Sequence, residues 1–147
     1  MKTVEFFWSE CNHCKRGFGL PILSDFSYGC FVFFGEKGSA YVYLEAINDS
    51  VWEEICSKIL RLAGLKEFTR KDSERLHWVI AACADKINGQ GFIPEPLCPS
   101  CKSQDVNYSR VKSAGVREIS EATFQNFQSL PEAAKMEMLA NLWRQFE

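Results

Sequence analysis

Two C-x-x-C pairs that lie far apart constrain this chain more than any other feature. Cys11 and Cys14 form the first pair, Cys98 and Cys101 form the second, and residues 15–97 separate them. In a reducing compartment such pairs indicate metal or redox chemistry before structural disulfides. A two-residue spacer lets both sulfurs of a pair reach one ion, and two pairs complete a tetrahedral four-thiolate site. The sequence therefore predicts one structural Zn²⁺ ion bound by these four cysteines.

The sequence around the second pair resembles the knuckles of zinc ribbons and rubredoxin-like modules. Residues 98–103 read CPSCKS, and residues 11–17 read CNHCKRG, a looser match whose polar spacer and late glycine suit a tight turn. The resemblance is confined to these two segments and implies a class of metal site rather than a homologous family. Compact fingers have about 15–20 residues between their pairs. The longer spacing here leaves two interpretations: a ribbon that is split by a large insertion, which the two C-x-x-C pairs favour, or two unrelated pairs.

The first pair also resembles the active-site turn of thioredoxins. Residues 4–15 read VEFFWSECNHCK, like the strand and turn of that family, in which a helix N-terminus activates the first thiol. This resemblance implies a thiol-disulfide oxidoreductase that uses Cys11 and Cys14. Two glycines and Pro21 interrupt the stretch where that helix would run, which favours the metal-site interpretation.

The other three cysteines and His13 are predicted to take no part in the site. Cys56 and Cys83 fall on the apolar faces of predicted helices, and Cys30 opens an apolar strand. Buried free cysteines of this kind pack as small apolar side chains. His13 lies inside the first turn, where four cysteines already complete the coordination, and it is predicted to face solvent.

Apolar runs and turn residues predict strands in the first third of the chain. Residues 4–8 form a short strand that leads into the first knuckle. Residues 18–28, interrupted by glycine and proline, predict a loop with a short extended piece. Residues 31–34 and 41–44 have strand composition and are joined by a glycine-containing turn at 35–39, which predicts a hairpin.

Helical periodicity predicts two helices in the insertion. Ser50 and Glu53 form a capping box at the start of the first helix, and Gly64 ends it. The second helix is predicted to begin at residue 72 or 73 and to end at Ile87. His77 lies on this second helix, where a structural or surface role is expected.

The segment after the second pair predicts a strand followed by helices. Residues 106–112 alternate between apolar and polar side chains, as a half-exposed strand does. Ser120 is predicted to begin a short helical segment. Ser129 and Glu132 form a capping box for the last helix.

The predicted fold class is α+β. It has a small antiparallel β-sheet with a split four-cysteine zinc ribbon, two helices in the insertion and a C-terminal helix. Residues 1–118 are predicted to form a single domain with knuckles at 11–14 and 98–101. Residues 119–147 are predicted to be a C-terminal helical segment packed on the same domain.

Composition and motifs argue against a membrane protein and against an enzyme. No window approaches the roughly 18 apolar residues of a membrane span, and Glu5 comes too early for the apolar run of a signal peptide. An apolar content of 46% is enough for a hydrophobic core, and these features together predict a soluble, cytoplasmic, globular protein. No hydrolase, zincin or nucleotide-binding motif occurs. Four cysteine ligands also leave no coordination position for a catalytic water.

Protein binding is the predicted function. The net charge of −2 is mildly acidic, and the last helix is amphipathic, with Met136, Trp143 and Phe146 on one side. These three residues are candidates for an interface with another protein or with a second copy of the chain. Packing of the same residues on the protein's own core is the competing interpretation. By analogy of size and charge, the chain is similar to adaptors and to inhibitors that neutralise toxins.

A zinc ribbon that binds nucleic acid is the alternative function. Residues 102–117 contain four basic residues and one acidic residue, and an exposed tyrosine in this segment could stack on a base. The same residues could instead be the solvated surface of an exposed strand. The candidate contacts are Lys15, Arg16, Lys102, Tyr108, Arg110 and Lys112.

Overall fold

A computed structural model describes residues 1–24 and 28–147 and shows an α+β fold. Within these ranges the strands are β1 (Lys2–Cys11), β2 (Gly17–Pro21), β3 (Cys30–Gly35), β4 (Tyr41–Glu45), β5 (Phe92–Ile93) and β6 (Val106–Glu121). The helices are α1 (Ser50–Ala63), α2 (Arg70–Cys83), α3 (Gln125–Gln128) and α4 (Glu132–Gln145). No helix in the described part of the chain is long and apolar enough to cross a bilayer.

The hairpin predicted at residues 31–34 and 41–44 is confirmed as β3 and β4. The extended piece predicted within residues 18–28 corresponds to β2. Residues 25–27 of the predicted loop lie outside the described residues.

The six strands form one mixed sheet in the order β2-β1-β6-β4-β3-β5. All neighbours are antiparallel except β4 and β6, which run parallel where Val42 and Tyr43 lie opposite Ser120 and Glu121. The prediction of a purely antiparallel sheet is therefore wrong at this one junction. The cause is the length of β6, whose 16 residues pair with β1 and then continue beside β4.

Side chains of the central hairpin alternate between two apolar clusters, as successive residues of a strand do. Phe33 and Val42 belong to the larger cluster, which they share with the buried faces of α1, α2 and α4. Tyr43 belongs to a smaller cluster that also contains Val4 and Phe6 of β1. The hairpin thus lies between the helices and the strand that leads into the first cysteine pair.

The two helices of the insertion begin at different caps from those predicted. Asp49, one residue before Ser50, caps α1, and its carboxylate accepts a hydrogen bond from the Trp52 N–H at 2.8 Å. Gly64 ends α1 in the left-handed conformation, with φ of 67°, as predicted. A reciprocal capping box between Thr69 and Asp72 begins α2 at Arg70, earlier than predicted.

Helix α2 ends at Cys83 rather than at Ile87 because Asp85 takes part in another element. The Asp85 carboxylate accepts hydrogen bonds from the Thr123 hydroxyl at 2.7 Å and from the N–H groups of Gln125 and Asn126 at 2.8 and 2.9 Å. These contacts join the end of α2 to the start of α3. The chain consequently leaves the helical conformation at Ala84.

The C-terminal segment also differs from its prediction. Ser120 is part of β6, so the helical segment predicted to begin there starts only at Gln125. The capping box of Ser129 and Glu132 is wrong: Pro131 is the N-cap, and no side chain caps the helix. Glu132 instead pairs with Lys58 of α1, whose side chain is nearly buried. The predicted boundary at residue 118 falls within β6.

Helix α4 packs on α1 and α2, and its tryptophan lies inside this packing. Trp143 is only 7% exposed, and the guanidinium carbon of Arg75 lies 3.9 Å from the centre of its ring. Arg75 also donates a hydrogen bond from Nε to the Trp143 carbonyl oxygen at 2.7 Å. Met136 and Phe146 are half-buried. The sequence left open whether Trp143 forms an interface or packs on the protein's own core, and in the structure Trp143 packs on the core.

Replacing Trp143 by alanine is expected to lower the free energy of unfolding by about 3–5 kcal/mol. The change removes a buried ring and the contact of that ring with the Arg75 guanidinium. Glu137→Ala on the same helix alters an exposed side chain and is expected to change that free energy by no more than about 0.5 kcal/mol. Urea unfolding followed by circular dichroism measures both values. Equal effects of the two substitutions would contradict the buried position of Trp143.

Candidate metal centre

The first cysteine pair forms a tight turn directly after β1. The Cys11 N–H donates to the Arg16 carbonyl at 3.0 Å, and the Lys15 N–H donates to the Cys11 carbonyl at 2.9 Å. Inside this turn, the N–H groups of His13 and Cys14 point at the Cys11 sulfur, at 3.3 and 3.4 Å. The backbone thus closes around one sulfur and supplies it with two hydrogen-bond donors.

The second cysteine pair repeats the same hydrogen bonds. The Cys98 N–H donates to the Ser103 carbonyl and the Lys102 N–H donates to the Cys98 carbonyl, both at 2.9 Å. The Cys98 sulfur accepts hydrogen bonds from the N–H groups of Ser100 and Cys101. Lys102 is left-handed with φ of 65°, the value of Lys15 in the first turn. Two unrelated six-residue stretches therefore adopt one turn geometry.

The start of β6 brings the two turns together. Cys11 lies opposite Val106 at the end of the β1–β6 ladder. One residue further on, the Asn12 N–H donates to the Asp105 carbonyl at 2.9 Å, and the Asn12 side-chain amide donates to the Asp105 carboxylate at 2.9 Å. The sequence alone does not reveal this pair, because nothing local connects residues so far apart in the chain.

The hairpin turn between β3 and β4 packs against the second cysteine turn. A Cβ atom at Gly38, which has φ of 82°, would lie 2.8 Å from the Pro99 Cα, so a side chain does not fit there. The Lys102 ammonium donates to the Pro99 carbonyl at 2.8 Å and also to the Lys37 carbonyl. The second turn is therefore held by the insertion as well as by the first turn.

The four predicted sulfurs come together in the structure and could hold a metal ion. The Cys11 and Cys101 sulfurs are 3.5 Å apart, the Cys14 and Cys98 sulfurs are 3.6 Å apart, and all four lie within 4.8 Å of one another. A tetrahedron with metal–sulfur bonds of about 2.3 Å has edges of about 3.8 Å. The two distances between sulfurs of different pairs, 3.5 and 3.6 Å, are close to this edge length.

Burial and hydrogen bonding give the thiols of the cluster different acidities. The Cys14 N–H is the main cause that lowers the pKa of Cys11. At Cys98 burial acts to raise the pKa, but the N–H groups of Cys101 and Ser100 outweigh it and lower the pKa to about 6. The turns thus stabilise a thiolate on the first cysteine of each pair, which is the form that binds metal.

The fourth thiol, that of Cys101, behaves in the opposite way. The Ser103 N–H acts to lower the pKa of Cys101, but burial and the neighbouring sulfurs, chiefly Cys11, outweigh it and raise the pKa to about 11. Four sulfurs this close cannot all carry a negative charge without a cation among them. The donor set therefore fits a divalent ion that accepts thiolates.

The three remaining cysteines lie outside the cluster. Burial raises the pKa of Cys83 to about 12 and that of Cys56 to about 11, as expected of thiols in apolar packing. Cys30 differs, because its sulfur accepts a hydrogen bond from the Tyr43 hydroxyl at 2.8 Å. His13 is exposed, as predicted. His77 packs its ring against Phe31 and Trp52, which stack on each other.

The candidate nucleic-acid contacts are exposed but divided among several environments. Lys15, Arg16 and Lys102 belong to the two cysteine turns, and Arg16 donates to the Ser100 hydroxyl at 3.3 Å. Arg110 donates to the Leu23 carbonyl at 3.3 Å. Tyr108 is 53% exposed beside the Pro94–Pro96 segment, and Lys112 lies elsewhere, in a depression with Lys15.

Comparisons of the chain with protein families, with curated proteins and with solved structures find no match. The chemistry of the four-cysteine cluster therefore rests on its own geometry.

Replacing Lys15 by glycine is expected to raise the free energy of unfolding by about 1 kcal/mol, because a left-handed backbone costs a residue with a side chain about that much. Lys102→Gly is the matched control: its backbone has the same φ, but the change also removes the ammonium contacts with Pro99 and Lys37, so the gain should be smaller. Urea unfolding of the metal-loaded protein measures both. A loss of stability in Lys15→Gly would contradict this description of the turn.

Proposed function

We propose that the four cysteines bind one Zn²⁺ ion and that the ion has a structural role. The observation that carries the proposal is the meeting of two matching turns whose sulfurs are separated by 84 and 90 residues of chain and lie at tetrahedral edge distances. Thiolate sulfurs in a tetrahedral set suit Zn²⁺. Because all four ligands come from the protein, no position is left for a water molecule or a substrate on the metal.

The structural role follows from what the ion would join. Zinc would connect the end of β1 to the turn before β6 and would close the chain around the hairpin and both insertion helices. In the chain-entropy account, a cross-link that closes a loop of this length stabilises the folded state by about 4–5 kcal/mol. That is comparable to the whole stability of many small domains.

Because four cysteine ligands would leave no open coordination position on the metal, the protein is best described as a non-enzymatic binding module. A protein partner in the cytoplasm, as for an adaptor or a toxin-neutralising inhibitor, is the first candidate. Because Trp143 is buried, Met136 and Phe146 are the predicted interface residues that remain for such a partner. Both are half-buried at the surface of the helical layer.

Thiol-disulfide exchange by Cys11 and Cys14 is the weaker alternative. The residues after Cys14 form the extended strand β2, whereas activation of a thioredoxin-type thiol needs the N-terminus of a helix at that position. The two sulfurs nearest Cys11 and Cys14 belong to the second pair, an arrangement that favours a shared ion over a reactive dithiol.

Nucleic-acid binding is the second candidate, and the exposure of the basic residues around the cysteine turns favours it. Lys15 and Arg16 follow the first pair, and Lys102 follows the second pair, so folding gathers charges that are distant in the sequence. A cationic surface on a chain with a net charge of −2 is a local feature of the fold.

Native mass spectrometry of the purified protein is expected to find one zinc ion per chain. Serine in place of Cys11, Cys14, Cys98 or Cys101 removes a thiolate and should abolish or weaken zinc binding, together with a fall in the melting temperature. The matched controls are Cys56→Ser and Cys83→Ser, which alter thiols outside the cluster and should keep the zinc.

Three results would contradict the zinc proposal. They are a purified protein without bound metal, iron in place of zinc, and full zinc retention after Cys11→Ser or Cys98→Ser. Ready turnover of a disulfide substrate by the metal-free protein, lost in Cys11→Ser, would support the oxidoreductase alternative instead.

A further inference from the structure

Trp8 is half-exposed in the middle of β1, although other apolar side chains of this strand are buried. Its side chain is 49% exposed, whereas Val4 and Phe6 of the same strand are 5% and 1% exposed. The ladder between β1 and β6 is irregular at this point, since Phe7 lies opposite Ser113 but Ser9 lies opposite Tyr108. The intervening residues of β6 leave the ladder beside Trp8. Such irregularities commonly redirect side chains next to functional sites.

Trp8 forms one wall of a depression of about 450 Å³ next to the first cysteine turn. Glu10 lies opposite Gly17 on β2 and opposite Asn107 on β6, so these three residues share one face of the sheet with Trp8. Gly17 has no side chain to fill the space beside Glu10. The depression is lined by Trp8, Ser9, Glu10, Lys15, Gly17, Asn107 and Lys112.

The depression lies among segments that carry a local excess of basic residues. Residues 8–17 and 98–112 together contain five basic and two acidic residues, although the whole chain has a net charge of −2. Within residues 1–24 and 28–147, no carboxylate oxygen lies within 4.0 Å of the Lys15 or Lys112 ammonium groups. Both ammonium groups are exposed. Within the part of the chain that the structure describes, the depression thus combines an aromatic ring with two lysines that form no salt bridge. This combination is complementary to an anion that also has a flat ring.

We propose that this depression binds single-stranded nucleic acid, with a base stacked on Trp8 and phosphates held by Lys15 and Lys112. Stacking on an aromatic side chain accepts any base, and lysines follow the backbone without reading sequence. The Asn107 amide and the Glu10 carboxylate lie on the same face and can hydrogen-bond to a base edge. This proposal deepens the nucleic-acid candidate and is independent of the identity of the metal.

The proposal changes the residue assigned to base stacking. Tyr108 is adjacent to Asn107 in a regular part of the ladder, so its side chain lies on the opposite face from Asn107, Glu10 and Trp8. Tyr108 lines a separate apolar groove with Pro94 and Pro96. Tyr108→Ala is therefore a matched control for Trp8→Ala, since both remove an exposed aromatic ring from the same pair of strands.

Fluorescence anisotropy of labelled oligo(dT) and oligo(U), titrated with the full zinc-loaded protein, tests the proposal. Binding is expected at about 50 mM salt and should weaken steeply towards about 200 mM. Trp8→Ala should weaken binding by about tenfold, the loss of one stacked base, and Trp8→Phe should retain most of the affinity. Tyr108→Ala should bind like the unmodified protein. The two oligonucleotides show whether the 2′-hydroxyl contributes.

Salt dependence separates phosphate contacts from a general charge effect. The double variant Lys15→Gln/Lys112→Gln should reduce the slope of log K against log salt by about 1.4, because each single-strand phosphate contact contributes about 0.7. Lys66→Gln/Lys71→Gln removes the same charge from two exposed lysines that do not line the depression and should leave the slope unchanged.

Several outcomes would overturn the proposal. They are an absence of binding to both oligonucleotides at low salt, equal losses from Trp8→Ala and Tyr108→Ala, and a slope insensitive to Lys15 and Lys112. Equally tight, Trp8-dependent binding of an acidic polyglutamate peptide would assign the surface to a protein partner instead. Native mass spectra of every variant report zinc content, so a failure of this proposal in zinc-loaded protein leaves the metal proposal standing.

Discussion

The contact between the two cysteine turns is the constraint on which the rest of the fold depends. It brings Cys11 next to Cys101 and Cys14 next to Cys98, at 3.5 and 3.6 Å between sulfurs. The chain between the two turns must then fold so that its two ends lie next to each other. The hairpin, α1, α2 and β5 satisfy this requirement, because β5 pairs with β3 and returns the chain to the second turn. Strand β6 starts at the same place and extends the junction along β1.

The four-cysteine cluster and the helical core are connected through the central hairpin. One side of the hairpin contributes Phe33 and Val42 to the helical cluster, and its turn packs Gly38 on Pro99 of the second cysteine turn. A change at the cysteine cluster is therefore expected to act on the core through this hairpin, which contacts both. Salt bridges outside this path, such as that between Lys135 of α4 and Glu54 of α1, hold the helices to one another.

The parts of the fold that could be predicted from the sequence are those decided by local chemistry. These parts are the two C-x-x-C turns, the β3–β4 hairpin and the C-cap at Gly64, and each depends on a few neighbouring residues. The errors arise where a side chain with a predicted local role pairs with a residue that is distant in the chain. Glu132 pairs with Lys58 instead of forming its capping box, and Asp85 leaves α2 to bind the start of α3. The parallel pairing of β4 and β6 is likewise a property of the complete sheet.

Trp8 shows why the surface chemistry was harder to predict than the cluster. In the sequence it ends an apolar run that indicates a buried strand, and its exposure results from an irregular pairing with residues about a hundred positions later. The position of Tyr108 among basic residues in the sequence predicts base stacking, but strand alternation places its side chain on the opposite face from Trp8, and it does not line the depression with Lys15. Lys15 belongs to the first cysteine turn, where its backbone is left-handed, and it lines the depression. An ion bound by the cluster would thus also affect the surface beside that turn.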